Sequence, residues 1–349
     1  MKMNLSHQQA FGHFTLRSTH TAALLSVFLG TMVYTHSAAE ADAGGNICLR
    51  GAANLYSACR SDVKNDFYTG RTICLNISDD QDRKDCLLGN RDTRSEGNTE
   101  CREIRSARRQ LCDSIGGEAY DPPFGNDFAA NFVDPLQIGT GIAPNTYLPL
   151  VPGSVWTYES SFLDDEGETV TETIEVSVTS ETKQIEGITC VTVRDVVRED
   201  GVLIEDTDDW FAQDIVGNVW YCGEIAENFE TFDGDDPDLP ELVDIDGSWK
   251  SGRDGGLAGI LIPAAPISGE VIRQEVAWRE AEDVIEIQSL TGTESTPGGG
   301  CTGNCMVTVD FTPLDPGVEE QKFYAPDIGL ILEVDDEGNR VELISYSRP

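Results

Sequence analysis

Six cysteines within residues 46–116 stand at Cys48, Cys59, Cys74, Cys86, Cys101 and Cys112, with successive gaps of 11, 15, 12, 15 and 11. The series reads the same in both directions. In an antiparallel pair of helices, facing residues have a constant sum of positions. Pairing outermost with outermost (Cys48 with Cys112, Cys59 with Cys101, Cys74 with Cys86) puts every midpoint at residue 80. Ser78-Asp79-Asp80 supplies cap residues for a returning helix at that turn. Cys48, Ala52, Leu55, Cys59 and Val63 recur every three or four residues, as do Cys101, Ile104, Arg108, Leu111 and Ile115. The spacing therefore predicts a helical hairpin with three nested disulfides, which stabilise a unit that has little core of its own. Residues 89–98, rich in Gly, Asn and Ser, are where the second helix is expected to break.

Gly116-Gly117 ends the hairpin, and residues 117–145, with Pro122, Pro123, Pro135 and Pro144, read as an irregular linker. Phe124, Phe128 and Phe132 are too apolar for a free linker and are expected to dock on a neighbour. From residue 146 to 349 the hydrophobic period changes to two. Trp156, Tyr158 and Phe162 share one face, and Val170, Ile174, Val176 and Val178 alternate with polar residues. About eleven such strands, separated by turns such as Glu199-Asp200-Gly201 and Asp315-Pro316-Gly317, predict a meandering antiparallel sheet. The class is α+β, with the sheet a half-barrel, a barrel or two layers. Residues 210–224 form its clearest hairpin: two aromatic runs flank Gly217-Asn218, a pair that readily takes positive φ.

Residues 1–41 have the form of an export signal: Lys2 and Arg17, an uncharged run from Thr21 to Tyr34, then Ala39-Glu40-Ala41. The run is too short to span a membrane, and no other stretch approaches the required length. All four histidines, His7, His13, His20 and His36, lie in that segment. The remaining chain is thereby excluded from histidine-dependent nucleophilic, acid–base and metal chemistry. Net charge is −38, and the acid is concentrated: residues 47–116 hold 12 Lys or Arg against 11 Asp or Glu, residues 117–349 hold 10 against 49. A field of that sign argues against nucleic acid or an anionic membrane surface as a partner and favours divalent cations or basic proteins, the alternative being solubility in a salty medium.

Residues 147–158 (Tyr-Leu-Pro-Leu-Val-Pro-Gly-Ser-Val-Trp-Thr-Tyr), the 210–224 hairpin, Gly247-Ser248-Trp249, Arg273-Gln274-Glu275, Ala281-Glu282-Asp283, residues 312–317 and residues 323–330 together resemble an uncharacterised family of secreted bacterial proteins. The resemblance takes in the cysteine hairpin. It implies a secreted or periplasmic location and carries over no catalytic or ligand residues. The curved sheet is also similar in style to periplasmic carriers of apolar or acylated cargo, an analogy of fold alone.

Cys190 and Cys222, on strands expected to be neighbours, predict a cross-strand disulfide, and Cys301 and Cys305 a small loop disulfide. Asp233, Asp235, Asp236, Asp238, Asp244 and Asp246 form the densest oxygen cluster and are candidate Ca2+ ligands, the alternative being a solvated acidic loop. Asp206, Asp208 and Asp209 alternate across a strand and cannot all face one ion. Trp210, Trp220, Trp249 and Trp278 are candidates for an apolar site, against the alternative that they are core. These features predict an exported, non-enzymatic protein that binds an apolar small molecule or a protein partner, its hairpin presenting Arg102, Arg105, Arg108 and Arg109. A Ca2+-binding structural or surface protein and a carboxylate-dependent hydrolase are the alternatives.

Overall fold

The computed structural model describes residues 46–163, 167–232 and 234–349; the proposed export signal lies outside them. Among the described residues two helices, α1 (Ile47–Leu75) and α2 (Asp80–Ile115), precede fourteen strands. Asn46 caps α1 by accepting from the Leu49 N–H at 2.8 Å, and Asp79 caps α2 by accepting from Gln81 and Asp82. The two backbone N–H donors hold the exposed Asp79 carboxyl below its ordinary pKa. Cys48–Cys112, Cys59–Cys101 and Cys74–Cys86 are all bonded, the nested pairing that the palindrome predicts. The hairpin is closed at its open end by the Ile47 N–H, which donates to the Gly117 carbonyl at 2.8 Å.

The expected break at residues 89–98 does not occur, and α2 runs unbroken through it. A Cβ on Gly97 would lie 3.0 Å from Val63, so glycine lets the helices approach between the flanking bridges at Cys86 and Cys101. That close packing outweighs the cost, about 1 kcal/mol, of a glycine inside a helix.

The strands are β1 (Val155–Leu163), β2 (Thr169–Ile185), β3 (Ile188–Glu199), β4 (Val202–Gln213), β5 (Val219–Glu230), β6 (Glu241–Asp244), β7 (Leu257–Ile262), β8 (Val271–Arg273), β9 (Glu275–Val276), β10 (Val284–Thr296), β11 (Gly299–Phe311), β12 (Glu319–Ala325), β13 (Gly329–Val334) and β14 (Arg340–Ser347). Each pairs antiparallel with its neighbours, in the order β8-β10-β11-β12-β13-β14-β1-β2-β3-β4-β5-β7-β9, and β6 adds to β5. The two ends of that order are one segment. Residues 271–273 pair with β10 and residues 275–276 with β7, so the sheet closes on itself around Gln274. Of the arrangements left open above, the barrel-like one is realised.

β7 falls in a stretch, residues 225–269, where alternation predicts no strand. Leu-Ala-Gly-Ile-Leu-Ile does not alternate, because most of its residues are buried. Its Gly259 is required by closure, since a Cβ there would fall 2.4 Å from the Gln274 carbonyl oxygen. β10 and β11 also outrun the alternating stretches that mark them in the sequence, residues 284–290 and 305–312. Their Thr- and Gly-rich ends form a hairpin laid on β14, where the Gly298 N–H donates to the Leu343 carbonyl at 2.7 Å.

Alternation divides the core in two. Phe211 belongs to a large cluster with Trp156, Ile174, Val193, Tyr221, Leu261, Ile287, Tyr324, Leu332 and Leu343, while its neighbours Trp210 and Ala212 join Ile185, Ile188, Cys190 and Cys222 on the opposite face. Phe124 and Phe132 cover that second face and pack on Trp220 at 5.9 Å between ring centroids, whereas Phe128 stays exposed. The linker is therefore docked by two of its three phenylalanines. Cys190–Cys222 and Cys301–Cys305 are both bonded. The first joins β3 to β5, which are not neighbours: β4 lies between them. The turn from β4 to β5 is likewise longer than a two-residue hairpin. Gly217 takes positive φ and Asn218 does not, because Asp214 organises the loop, its Oδ1 accepting from the N–H groups of Val216, Gly217 and Asn218.

Candidate functional site

Where the hairpin meets the barrel there is a cleft of about 690 Å³. One wall is the first turns of α1 and the end of α2 (Ile47, Gly51, Leu55, Ile115), the other is β7 and β8 (Leu257, Ile260, Val271, Ile272), and the floor is the linker at Tyr120, Pro122 and Pro123. Trp220 and Trp278 both line it. Trp278 is 40% exposed, unlike the other three candidate tryptophans, which are 4–7% exposed. The Tyr120 hydroxyl donates to the Ala258 carbonyl at 3.1 Å, and burial pushes its pKa up to about 12.

The structure does not gather the four tryptophans into one site. Trp210 lies on the outer face of β4 beneath Lys183 and Lys250, 3.5 and 5.5 Å from its ring centroid. Trp249 packs edge-on against Tyr221 in the large cluster. Trp220 is held by its Nε1–H, which donates to Asp214 at 3.0 Å, and contributes only one face to the cleft. Alternation along β4 and β5 sends neighbouring aromatics to opposite faces, which sequence proximity conceals.

One cation, Arg273, reaches the cleft from its barrel wall, with Glu270 beside it and Glu118 across, from the linker. Arg273 is 7% exposed, and its guanidinium carbon lies 5.8 Å from the Tyr120 ring centroid and 5.5 Å from that of Trp278. Beside it, Arg108 of α2 is joined to Glu282 by a bidentate pair that pins the hairpin to the barrel. Arg108 thus belongs to the buried stripe of α2 and not to a presented face. Arg105 stacks on Tyr56 at 4.9 Å, leaving Arg102 and Arg109 as the exposed members of the expected set.

The second feature is the acidity of the sheet's buried face. Among the described residues Glu172, Asp195, Glu205, Asp209, Glu224, Glu275, Asp283, Asp310, Glu320 and Glu333 are all at most 9% exposed. Lys322, 1% exposed, sits 3.2–3.4 Å from three of them, Asp310, Glu320 and Glu333. The Tyr221 hydroxyl lies 2.5 Å from both Asp209 and Glu224. A hydroxyl has one proton to donate, so the second contact is a hydrogen bond only if a carboxyl donates back. Burial, then the neighbouring acids, push these groups up: Glu172 to about 8, Glu205 and Asp209 to about 7, Asp195 and Glu224 well above the carboxylate range. The signal for this layer was the acid–apolar alternation Val193-Asp195-Val197 and the series Glu205-Thr207-Asp209-Phe211, which reads as an ordinary wet face when charge is assumed to point outward. Asp206 does face outward, paired with Arg194, so the alternation expected of Asp206, Asp208 and Asp209 holds.

Among the described residues the proposed Ca2+ ligands are not brought together. Asp235, Asp236, Asp238 and Asp246 are exposed, and Asp244 accepts from Asn228 Nδ2 at 2.7 Å and from the Asp246 N–H at 3.0 Å. Asp233 lies outside the described residues. Among the described residues no three Asp, Glu, His or Cys side chains are placed to hold a metal ion. No described helix is long and apolar enough to cross a membrane. No family model matches the chain, and no curated protein or solved structure is significantly similar to it.

Proposed function

We propose that this is an exported, non-enzymatic binding protein whose hairpin–barrel cleft holds an apolar small molecule. The observation that carries the reading is the cleft itself: about 690 Å³, walled by aliphatic side chains from both units, with Trp278 left 40% exposed at its side. Small-molecule sites span roughly 300–1,000 Å³ and are mostly apolar with few polar groups. Five disulfides support export, since such bonds persist in oxidising compartments. The carboxylate pair Asp209 and Glu224, around Tyr221, is 0% and 2% exposed, which leaves a hydrolytic substrate no access to it.

The test is titration of the purified protein with N-phenylnaphthylamine, an uncharged probe that fluoresces in apolar surroundings. Saturable binding is expected, weakened about tenfold by Trp278→Ala, the loss of one aromatic contact. Absence of binding, or binding that neither Trp278→Ala nor Ile260→Asp alters, overturns the assignment.

A further inference from the structure

We infer that the molecule held in the cleft is an amphiphile with one small anionic head group, of the carboxylate type, seated on Arg273. The inference rests on the cleft being the apolar-ligand site. Arg273 Nε and Nη1 are buried and have no hydrogen-bond partner. Leaving buried donors unmade is costly, about 1–3 kcal/mol for a neutral group and more for a charged one. The rings of Tyr120 and Trp278 attract the cation through their faces, which does not replace a hydrogen bond to an oxygen acceptor.

The neighbouring carboxylate is turned to other donors. Glu282 Oε2 accepts from Arg108 Nε, and Oε1 from Arg108 Nη2 and the Arg279 N–H. Arg273 is thus left with free donors in a chain of 62 acidic residues against 24 basic ones. Burial and Arg108 lower its pKa, Glu282 and Tyr120 raise it, and a guanidinium remains charged throughout. Nε and Nη1 lie on different edges of the guanidinium and each shares its edge with Nη2, so the planar fork that matches one carboxylate or one phosphate oxygen pair is Nη2 with either of them. Glu118 and Glu270 also line the cleft and are exposed, so a head group with several negative charges meets repulsion. That selects a single charge, with the alkyl or aryl body lying along Leu55, Leu257 and Ile260.

The test is displacement of N-phenylnaphthylamine by dodecanoate, dodecanol and dodecyl phosphate at physiological ionic strength, where the overall negative field is screened. Dodecanoate is expected to bind roughly ten- to a hundredfold tighter than dodecanol, the worth of a charge-assisted hydrogen bond. Arg273→Gln is expected to abolish that preference and leave dodecanol unchanged. Arg273→Lys, which keeps the charge and guards against a Gln variant that fails to fold, is expected to retain part of it. Equal binding of dodecanoate and dodecanol overturns the head-group inference while the cleft reading stands. Failure of every probe, including the uncharged one, overturns both. Tighter binding of the doubly charged dodecyl phosphate than of dodecanoate overturns the single-charge assignment.

Discussion

Arg108 of α2 and Glu282, between β9 and β10, form a bidentate ion pair with both side chains at most 5% exposed. It is the buried electrostatic link between two units that the sequence presents as separate. Arg279 and Asp62 make a second contact near it at the surface.

Removing one partner from such a pair leaves the other buried and uncompensated. Arg108→Ala is therefore expected to cost about 3–5 kcal/mol. Glu282→Gln keeps one acceptor but turns its amide NH2 towards an N–H of Arg108 or Arg279 and leaves the guanidinium uncompensated, so a cost in the same range is expected. Arg279→Ala, losing only an exposed pair, is expected to stay within about 1 kcal/mol. Urea denaturation of the three variants checks the order.

The buried carboxylates predict a stability that falls as pH rises. An unfolded carboxyl titrates near about 4, whereas folded Glu205 and Asp209 titrate at about 7 and Glu172 at about 8. Between those values the native state holds protons that the unfolded state has released, so the slope of unfolding free energy against pH is negative. The contribution of these groups is full below about pH 4 and is lost as pH rises through about 7 to 8, a tenfold difference in proton affinity between the two states being worth about 1.4 kcal/mol. The melting temperature is expected to be higher at about pH 5.5 than at about pH 8.5. Glu205→Gln, which keeps the bond from Thr207, is expected to raise Tm at the alkaline end only. A Tm that increases with pH contradicts the assignment.

All ten cysteines are paired, so alkylation without reduction is expected to label none and alkylation after reduction to label all. The chain-entropy argument ranks the hairpin bridges. Cys48–Cys112, with a sequence separation of 64, is worth roughly 4 kcal/mol, and Cys74–Cys86, with a separation of 12, roughly 3 kcal/mol. Paired Cys→Ser variants followed by thermal unfolding measure the difference.

Closure of the sheet depends on an absent side chain. Gly259→Ala places a methyl 2.4 Å from the Gln274 oxygen and 2.5 Å from that of Arg273, so β7 and the 271–276 segment must separate. A loss of about 1–3 kcal/mol is expected. Faster hydrogen exchange confined to β7, β8 and β9 distinguishes loss of closure from global weakening.

Local and periodic features were readable from the chain alone. The hairpin and its nested bridges were legible because two antiparallel helices turn a symmetric spacing into contact. Most strands were legible because one buried face and one exposed face make hydrophobicity alternate. β7 escaped because its buried residues do not alternate, and the Thr- and Gly-rich ends of β10 and β11 carry little hydrophobicity to alternate.

How those pieces meet is settled only in three dimensions. Closure joins residues 257–262 to residues 275–276 and residues 271–273 to β10, and only closure makes the faces of Asp195, Asp209 and Glu224 an interior. Docking of α2 through Arg108 then brings Ile47 and Leu55 opposite Leu257 and Ile260 and leaves Arg273 between them. Burial is a property of where a side chain ends up in space. The same carboxylate is solvated on an open sheet and desolvated in a closed one, and no spacing along the chain records which of the two it will be.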